Sequence, residues 1–241
     1  MSDLPTVVVP PVGAWQDATV RDIRVENPRV KTFALQLEQP APHLAGQHFV
    51  VRLTAPDGYT AQRSYSVASP PGDSTSIELT VERLTDGEVS TFLHDDLRVG
   101  DTLEVRGPIG GWFVWDGSAP ALLIGGGSGI VPLMAMLRLA RRQSTQPLAH
   151  LLVSARQPSH LIYAGELSAD DTTVLFTRVA LPESVRPPGR ITAEDLAPHV
   201  RGDATVYICG SAGFAAAASE LAIQAGFDSQ AIRVERFGPT G

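Results

Sequence analysis

Four short segments of this 241-residue chain place residues at spacings that could do chemistry. Arg63-Ser64-Tyr65-Ser66 offers a cation, an aromatic ring and hydroxyls in one stretch. On a regular strand Arg63 and Tyr65 face one side, and Ser64 and Ser66 the other. A flavin needs a cation for its phosphate, a ring against its plane and a hydrogen-bond partner at N5. An ordinary barrel strand with an exposed arginine would show the same residues. Asp86-Gly87-Glu88-Val89-Ser90 sets a glycine before a helix start, where free amides and the helix dipole favour a phosphate; a plain capped turn has the same composition. Gly125-Gly126-Gly127-Ser128-Gly129 lies between a predicted strand and a predicted helix. That context suits a dinucleotide pyrophosphate, although the spacing departs from G-x-G-x-x-G. Cys209-Gly210 ends a predicted strand before a helix, at the sheet edge where ligands bind in open α/β folds; the alternative is a buried structural cysteine.

The elements that must position these segments follow from residue patterning. Residues 19–25, 31–38, 48–53 and 77–83 are rich in β-branched residues or alternate apolar with polar. The turn signals Asn27-Pro28, Ala45-Gly46, Pro56-Asp57-Gly58, Pro70-Pro71-Gly72 and Asp86-Gly87 separate them. Short strands at this spacing predict a closed antiparallel β-barrel, interrupted by a helix at 89–95. The period changes near residues 115–120. Strands at 121–124, 151–154, 173–177, 205–209 and 232–235 then alternate with helices at 130–142 and 214–225. Such alternation predicts βαβ units and a doubly wound parallel sheet. Pro187-Pro188-Gly189 reads as a loop inside this second unit. The expected division is therefore residues 14–115 and 116–241.

Bulk properties narrow the function. Hydrophobic content of 43% and charged content of 19% suit a soluble globular chain, and a net charge of −7 argues against nucleic acid as partner. The single cysteine forms no internal disulfide and cannot hold an iron–sulfur cluster, which takes about four ligands. No metal site is expected. The first 13 residues, with Val7-Val8-Val9 before Pro10-Pro11, do not read as a signal peptide, and no run reaches the roughly 20 apolar residues of a membrane helix. A cytoplasmic location without membrane insertion is expected.

Together the segments resemble the ferredoxin–NADP reductase family, in its oxygenase-reductase and flavohaemoglobin-reductase branch. The resemblance runs from about Trp15 to Phe237 with the motifs in the family's order. Arg63, Tyr65 and Ser66 match its R-x-Y-S flavin motif, and Gly87, Val89 and Ser90 its pyrophosphate segment. Residues 125–129 match its nicotinamide-dinucleotide loop. Cys209-Gly210 matches its C-G-P motif with Ser211 in place of proline, and Glu235-x-Phe237 its E-x-aromatic ending. Two departures stand out. The chain has no C-x4-C-x2-C cluster motif, so electrons are expected to leave to a separate acceptor. Gly238-Pro239-Thr240-Gly241 also continues past the aromatic.

The resemblance implies a flavin-dependent NAD(P)H oxidoreductase with a β-barrel FAD domain and an α/β nucleotide domain. Arg63 would pair with a phosphate of FAD, Tyr65 pack on the isoalloxazine with Ser64 beside it, and Phe237 cover the ring. Ser66 would reach N5, Cys209 would border the nicotinamide C4, and Glu235 would orient the nicotinamide or relay protons. These last three are the expected catalytic residues, with Gly126, Gly127, Ser128, Gly129 and Gly210 binding the dinucleotide. Ser154-Ala155-Arg156 follows a predicted strand without an acidic residue, which favours NADPH over NADH. The expected acceptor is a ferredoxin-like or other redox protein. The alternatives are a small-molecule acceptor such as a free flavin, ferric chelate or quinone, and a non-catalytic flavin-binding subunit.

Overall fold

A computed structural model of the chain describes residues 9–145, 148–167, 170–180 and 186–237. Val7-Val8 and the tail after Phe237 lie outside the described residues. Six strands make the first sheet: β1 Gln16–Asn27, β2 Val30–Leu37, β3 His48–Thr54, β4 Thr60–Ser66, β5 Ser76–Glu82 and β6 Thr102–Ile109. Their order is β4-β3-β6-β1-β2-β5, antiparallel throughout. Past the end of β4, Val67 bridges Leu79, and the Ala68 N–H donates to the Glu78 carbonyl at 2.8 Å. These contacts join the two edge strands and close the barrel. Period-two alternation sends Phe33, Leu35, Phe49, Val51, Ile77, Leu79 and Val105 into one core. Helix α1, Glu88–Asp95, adds Val89 and Leu93 to it.

Strand β6 is absent from the sequence reading, yet it is central and pairs with both β1 and β3. Gly107-Pro108 hides it, because glycine and proline normally punctuate strands. In the fold Pro108 falls at the register shift opposite His48 and Val50, a bulge where a proline is tolerated.

The second sheet holds β7 Ala121–Gly126, β8 Ala149–Ala155, β9 Thr172–Phe176, β10 Thr205–Ser211 and β11 Ile232–Phe237. All are parallel, in the order β11-β10-β7-β8-β9. Helix α2, Ile130–Gln143, covers one face with Leu133, Met134 and Leu137, and carries Pro132 in its first turn, where no intrahelical N–H is needed. The short helix α3 spans Ala193–Leu196, and α4 spans Ala212–Ala225. The Ala215, Ala218 and Ala222 stripe of α4 lies against Ile124 and Ile208 on the other face. Ser211 caps α4 by accepting from the Phe214 N–H at 3.3 Å. Strand order reverses between β7 and β10, which is where open α/β sheets hold ligands.

The two sheets share one apolar core. Ala45, Ala68, Phe113 and Trp115 from the first half pack with Met134, Met136 and Tyr207 of the second. Among the described residues, no helix is long and apolar enough to cross a membrane.

Candidate functional site

At the carboxyl edge of the parallel sheet, register places Glu235, Cys209, Gly125, Val153 and Val174 in one row across neighbouring strands. Cys209 is fully buried. Burial, and then the charge of Glu235, push its thiol well above the usual range, so it is a neutral, non-nucleophilic group. Burial also pushes the Glu235 carboxyl up to about 7, and its Oε2 is buried without a hydrogen-bond partner.

The glycine turn after β7 divides by what each glycine meets. Gly127 sits at φ 59°, and a Cβ there would meet nothing within 4 Å. Its outer face is open to a ligand backbone. At Gly129 a Cβ would lie 2.2 Å from the Cys209 carbonyl oxygen, so glycine lets the turn press onto β10. Gly126 and Gly210 have a different cause. The Phe214 ring fills the space of their side chains, at 2.8 and 2.6 Å from a Cβ. Sequence reasoning singled out both glycines and missed the ring that requires them; only its place in the first turn of α4 hinted at it.

On the barrel side, β4 delivers Ser66 to the closure point. Ser66 is 3% exposed and its Oγ is buried without a partner. His48, which the sequence marked only as a strand start, is its register partner, and burial lowers the pKa of that imidazole. Tyr65 packs against the barrel core, and burial raises its hydroxyl pKa against the opposing charge of Arg63. Arg63 and Ser64 are exposed, and Arg63 Nη1 donates to the Gln62 carbonyl at 2.7 Å. Alternation therefore holds less cleanly than expected: Tyr65 and Ser66 are both withdrawn from solvent although they point to opposite faces.

In the Gly87 segment the side chains of Val89 and Ser90 are engaged within the protein. The Val89 side chain is in the core. Ser90 Oγ donates to the Gly87 carbonyl at 3.1 Å and accepts from the Leu84 N–H at 3.2 Å, so the hydroxyl shapes the turn. What the segment offers an anion is backbone: Gly87 is the N-cap of α1 and supplies no side-chain cap to the first-turn amides.

Ser154, the last residue but one of β8, lies beside Gly126 in register, and the exposed Arg156 follows the strand. Phe237 pairs with Ser211 and packs against the core that includes Cys209 and Ile130. The two halves of the site meet because β5 runs alongside the Gly127–Gly129 turn.

Residues 17–114 match the oxidoreductase FAD-binding domain family, and residues 123–220 match the oxidoreductase NAD-binding domain family. The chain belongs to the ferredoxin–NADP reductase family. Two curated relatives are 31% identical to it. The glycine betaine monooxygenase reductase subunit of Pseudomonas aeruginosa aligns over 92% of this chain and 64% of its own length. The propane 2-monooxygenase reductase component of Rhodococcus jostii has the same coverage of both chains. The chain thus spans less than two thirds of the length of these relatives. In fold it superimposes on the flavohaem-like FAD/NAD-binding domain of nitric oxide dioxygenase from Vibrio cholerae with a TM-score of 0.81 at 24% identity, covering 93% of this chain and 99% of that one.

This ferredoxin–NADP reductase-family chain fits a flavin and a dinucleotide on independent observations. Three buried side-chain polar atoms among the described residues lack a partner: His43 Nδ1, Ser66 Oγ and Glu235 Oε2. Buried polar atoms are normally satisfied. Two of these three belong to the residues matched to the family's motifs. The uncapped amides of α1 and the open Gly127 face are the phosphate-accepting elements that such cofactors require.

Proposed function

We propose that the chain takes a hydride from NADPH onto FAD and passes the electrons to a separate redox protein, of ferredoxin or oxygenase type. The observation that carries this is the pair of buried atoms without a partner among the described residues, Ser66 Oγ at the end of β4 and Glu235 Oε2 on β11. The acceptor class follows from the relatives, which are named as reductase components of monooxygenases. The proposed domain boundary, between residues 115 and 116, falls between β6 and β7.

Bound FAD supplies a ring that accepts a hydride and releases electrons singly. The chain's own residues hold, orient and exclude water. Arg63 and the first-turn amides of α1 neutralise the FAD phosphates. Tyr65 and Phe237 give the isoalloxazine aromatic surfaces, with Ser64 at the rim. Ser66 donates a hydrogen bond at N5. Gly127 and Ser128 receive the dinucleotide backbone, with Gly126, Gly129 and Gly210 shaping the turn that holds it. The neutral Cys209 gives a small wall beside the nicotinamide C4. Glu235, protonated up to about pH 7, offers a donor beside it.

The direct test is the colour of the purified protein and its response to anaerobic NADPH. Stoichiometric FAD that bleaches on addition is the expected result. A yellow protein that no nicotinamide reduces would exclude the enzyme reading, and stoichiometric FMN would exclude the pyrophosphate site at α1.

Ser154 and Arg156 would receive the adenosine ribose, and Arg156→Ala should weaken use of NADPH far more than of NADH. Charge-assisted contacts contribute about 1.5–3 kcal/mol, and the exposure of Arg156 sets the expectation at the low end, roughly tenfold in kcat/KM. Steady-state kinetics with both donors checks this. Equal losses would remove Arg156 from 2′-phosphate recognition.

A further inference from the structure

Arg138 of α2 ties the helix behind the glycine turn to the strand end that carries Ser66. Its Nη1 donates to the Ala68 carbonyl at 2.9 Å and to Glu78 Oε2 at 3.0 Å. Its Nε and Nη2 donate to the Glu166 carboxylate at 3.0 and 2.5 Å. The guanidinium also lies over the Tyr163 ring, 4.8 Å from the centroid. Ala68 is two residues past Ser66, and Glu78 is on the strand that closes the barrel there. From the barrel side Arg24 Nη2 donates to Glu78 Oε1 at 2.6 Å. Each nitrogen of the Arg138 guanidinium thus has a partner, and the side chain is only 14% exposed.

A second tie lies beside the first. The Tyr163 hydroxyl donates to Thr80 Oγ1 at 2.5 Å, and Thr80 Oγ1 contacts Thr32 Oγ1 at 2.8 Å. Thr32 Oγ1 donates to Glu26 Oε1 at 2.7 Å, and Glu26 Oε2 accepts the Tyr163 N–H at 3.2 Å. The chain of donors runs one way, from the phenol to the carboxylate, and returns to the same residue. Tyr163 is 3% exposed and holds φ 59°, a left-handed conformation that a tyrosine adopts only when its surroundings fix it. It stands seven residues after Arg156, in the connection that leaves the nucleotide edge of β8.

We propose that Arg138, supported by Tyr163, is a positioning residue whose clamp sets the separation between Ser66 and the glycine turn, and so the distance over which the hydride moves. This rests on the hydride-transfer function proposed above. The rest of the interface combines apolar core, which attracts without direction, with single hydrogen bonds such as Asn27 Nδ2 to the Leu161 carbonyl at 3.2 Å and the Tyr207 hydroxyl to the Val114 carbonyl at 2.8 Å. Directional, charge-assisted bonds to Ala68 and Glu78 fix the register. The requirement for about 3–3.5 Å between reacting atoms makes rate sensitive to small slippage while binding is not.

The test uses the full-length holoprotein and two variants. Arg138→Lys keeps the charge but cannot fork to three acceptors. The limiting rate of flavin reduction should fall about tenfold, while FAD content and the Kd for NADPH stay within about twofold. The long-wavelength absorbance of nicotinamide stacked on flavin should weaken in parallel. In the apoprotein, amide exchange at residues 66–69 and 78–80 should speed up. Tyr163→Phe should act in the same direction by less, and the double variant with Thr80→Val should lose less than the two single variants summed, because they share the Tyr163–Thr80 bond. If Arg138→Lys does not fold, the Tyr163→Phe and Thr80→Val set decides alone. Unchanged limiting rate and stacking absorbance overturn the clamp, as does a loss of FAD or NADPH affinity equal to the loss of rate. A parent protein that binds FAD and is reduced by neither nicotinamide overturns the function reading and this inference with it; a parent that is reduced normally, with variants that match it, overturns only this inference.

Discussion

Ser66→Ala should retain full FAD and reduce it about a hundredfold more slowly than the parent chain, the lower end of what a well-placed transition-state donor is worth. The residue is 3% exposed and its hydroxyl finds no partner among the described residues. In the role proposed for it, the hydroxyl would donate to charge developing at N5, and such a bond would strengthen where it lowers the barrier. The same substitution should make the apoprotein more stable, by about 1 kcal/mol, because an unsatisfied buried hydroxyl is removed. Loss of rate with gain of stability is the mark of a group kept for chemistry. Cys209→Ala is the control. It removes a neutral thiol buried in the core, so it should slow reduction less and lower stability slightly, by loss of packing. Single-turnover reduction at saturating NADPH, with flavin content and thermal unfolding of each apoprotein, separates the two. Parent-like rates in both would place the reacting centre elsewhere.

The order of the domains and their sheets was legible because period-two alternation and helical spacing are local properties of the chain. Strands β2, β3 and β5 and helices α2 and α4 announced themselves this way. Strand β6 did not, because Gly107-Pro108 is tolerated only by a bulge formed with a strand more than fifty residues away. Site residues behaved alike. Gly127 is glycine for a local reason, its positive φ, and a loop of glycines reveals it. Gly126 and Gly210 are glycine because of Phe214, a relation of side-chain volume that sequence spacing does not encode. Ser90 was matched to the pyrophosphate segment, and its hydroxyl is engaged by its own turn. Arg138 and Tyr163 drew no notice at all. Their partners Ala68, Glu78 and Thr80 are about sixty to eighty residues distant in sequence, and a lone arginine in a helix carries no motif.

Glu235→Gln should remove the pH dependence of both stability and rate around neutrality. Burial holds the carboxyl at about 7 against an ordinary value of 4.5, so the folded apoprotein keeps a proton that the unfolded chain has released. Stability from this group is fully present below pH 4.5 and is lost as pH rises toward 7 and through it. The shift corresponds to about 3 kcal/mol between the two limits. Glutamine cannot ionise, so the variant should be free of that slope. Denaturant unfolding of both apoproteins at pH 5 and pH 8 should show the parent weakening relative to the variant on the alkaline side. The catalytic consequence has the same sign. If the neutral acid is the form that donates toward the nicotinamide, the parent's flavin-reduction rate declines above pH 7, where Glu235 ionises beside Cys209 and the β10 edge. Glutamine retains a donor of similar reach, so its rate should stay level from pH 6 to pH 9 and overtake the parent at the alkaline end. A parent rate that instead rises through pH 7, together with an inactive glutamine variant, would show that the ionised carboxylate is required and would reverse the role assigned to Glu235 from proton donor to acceptor.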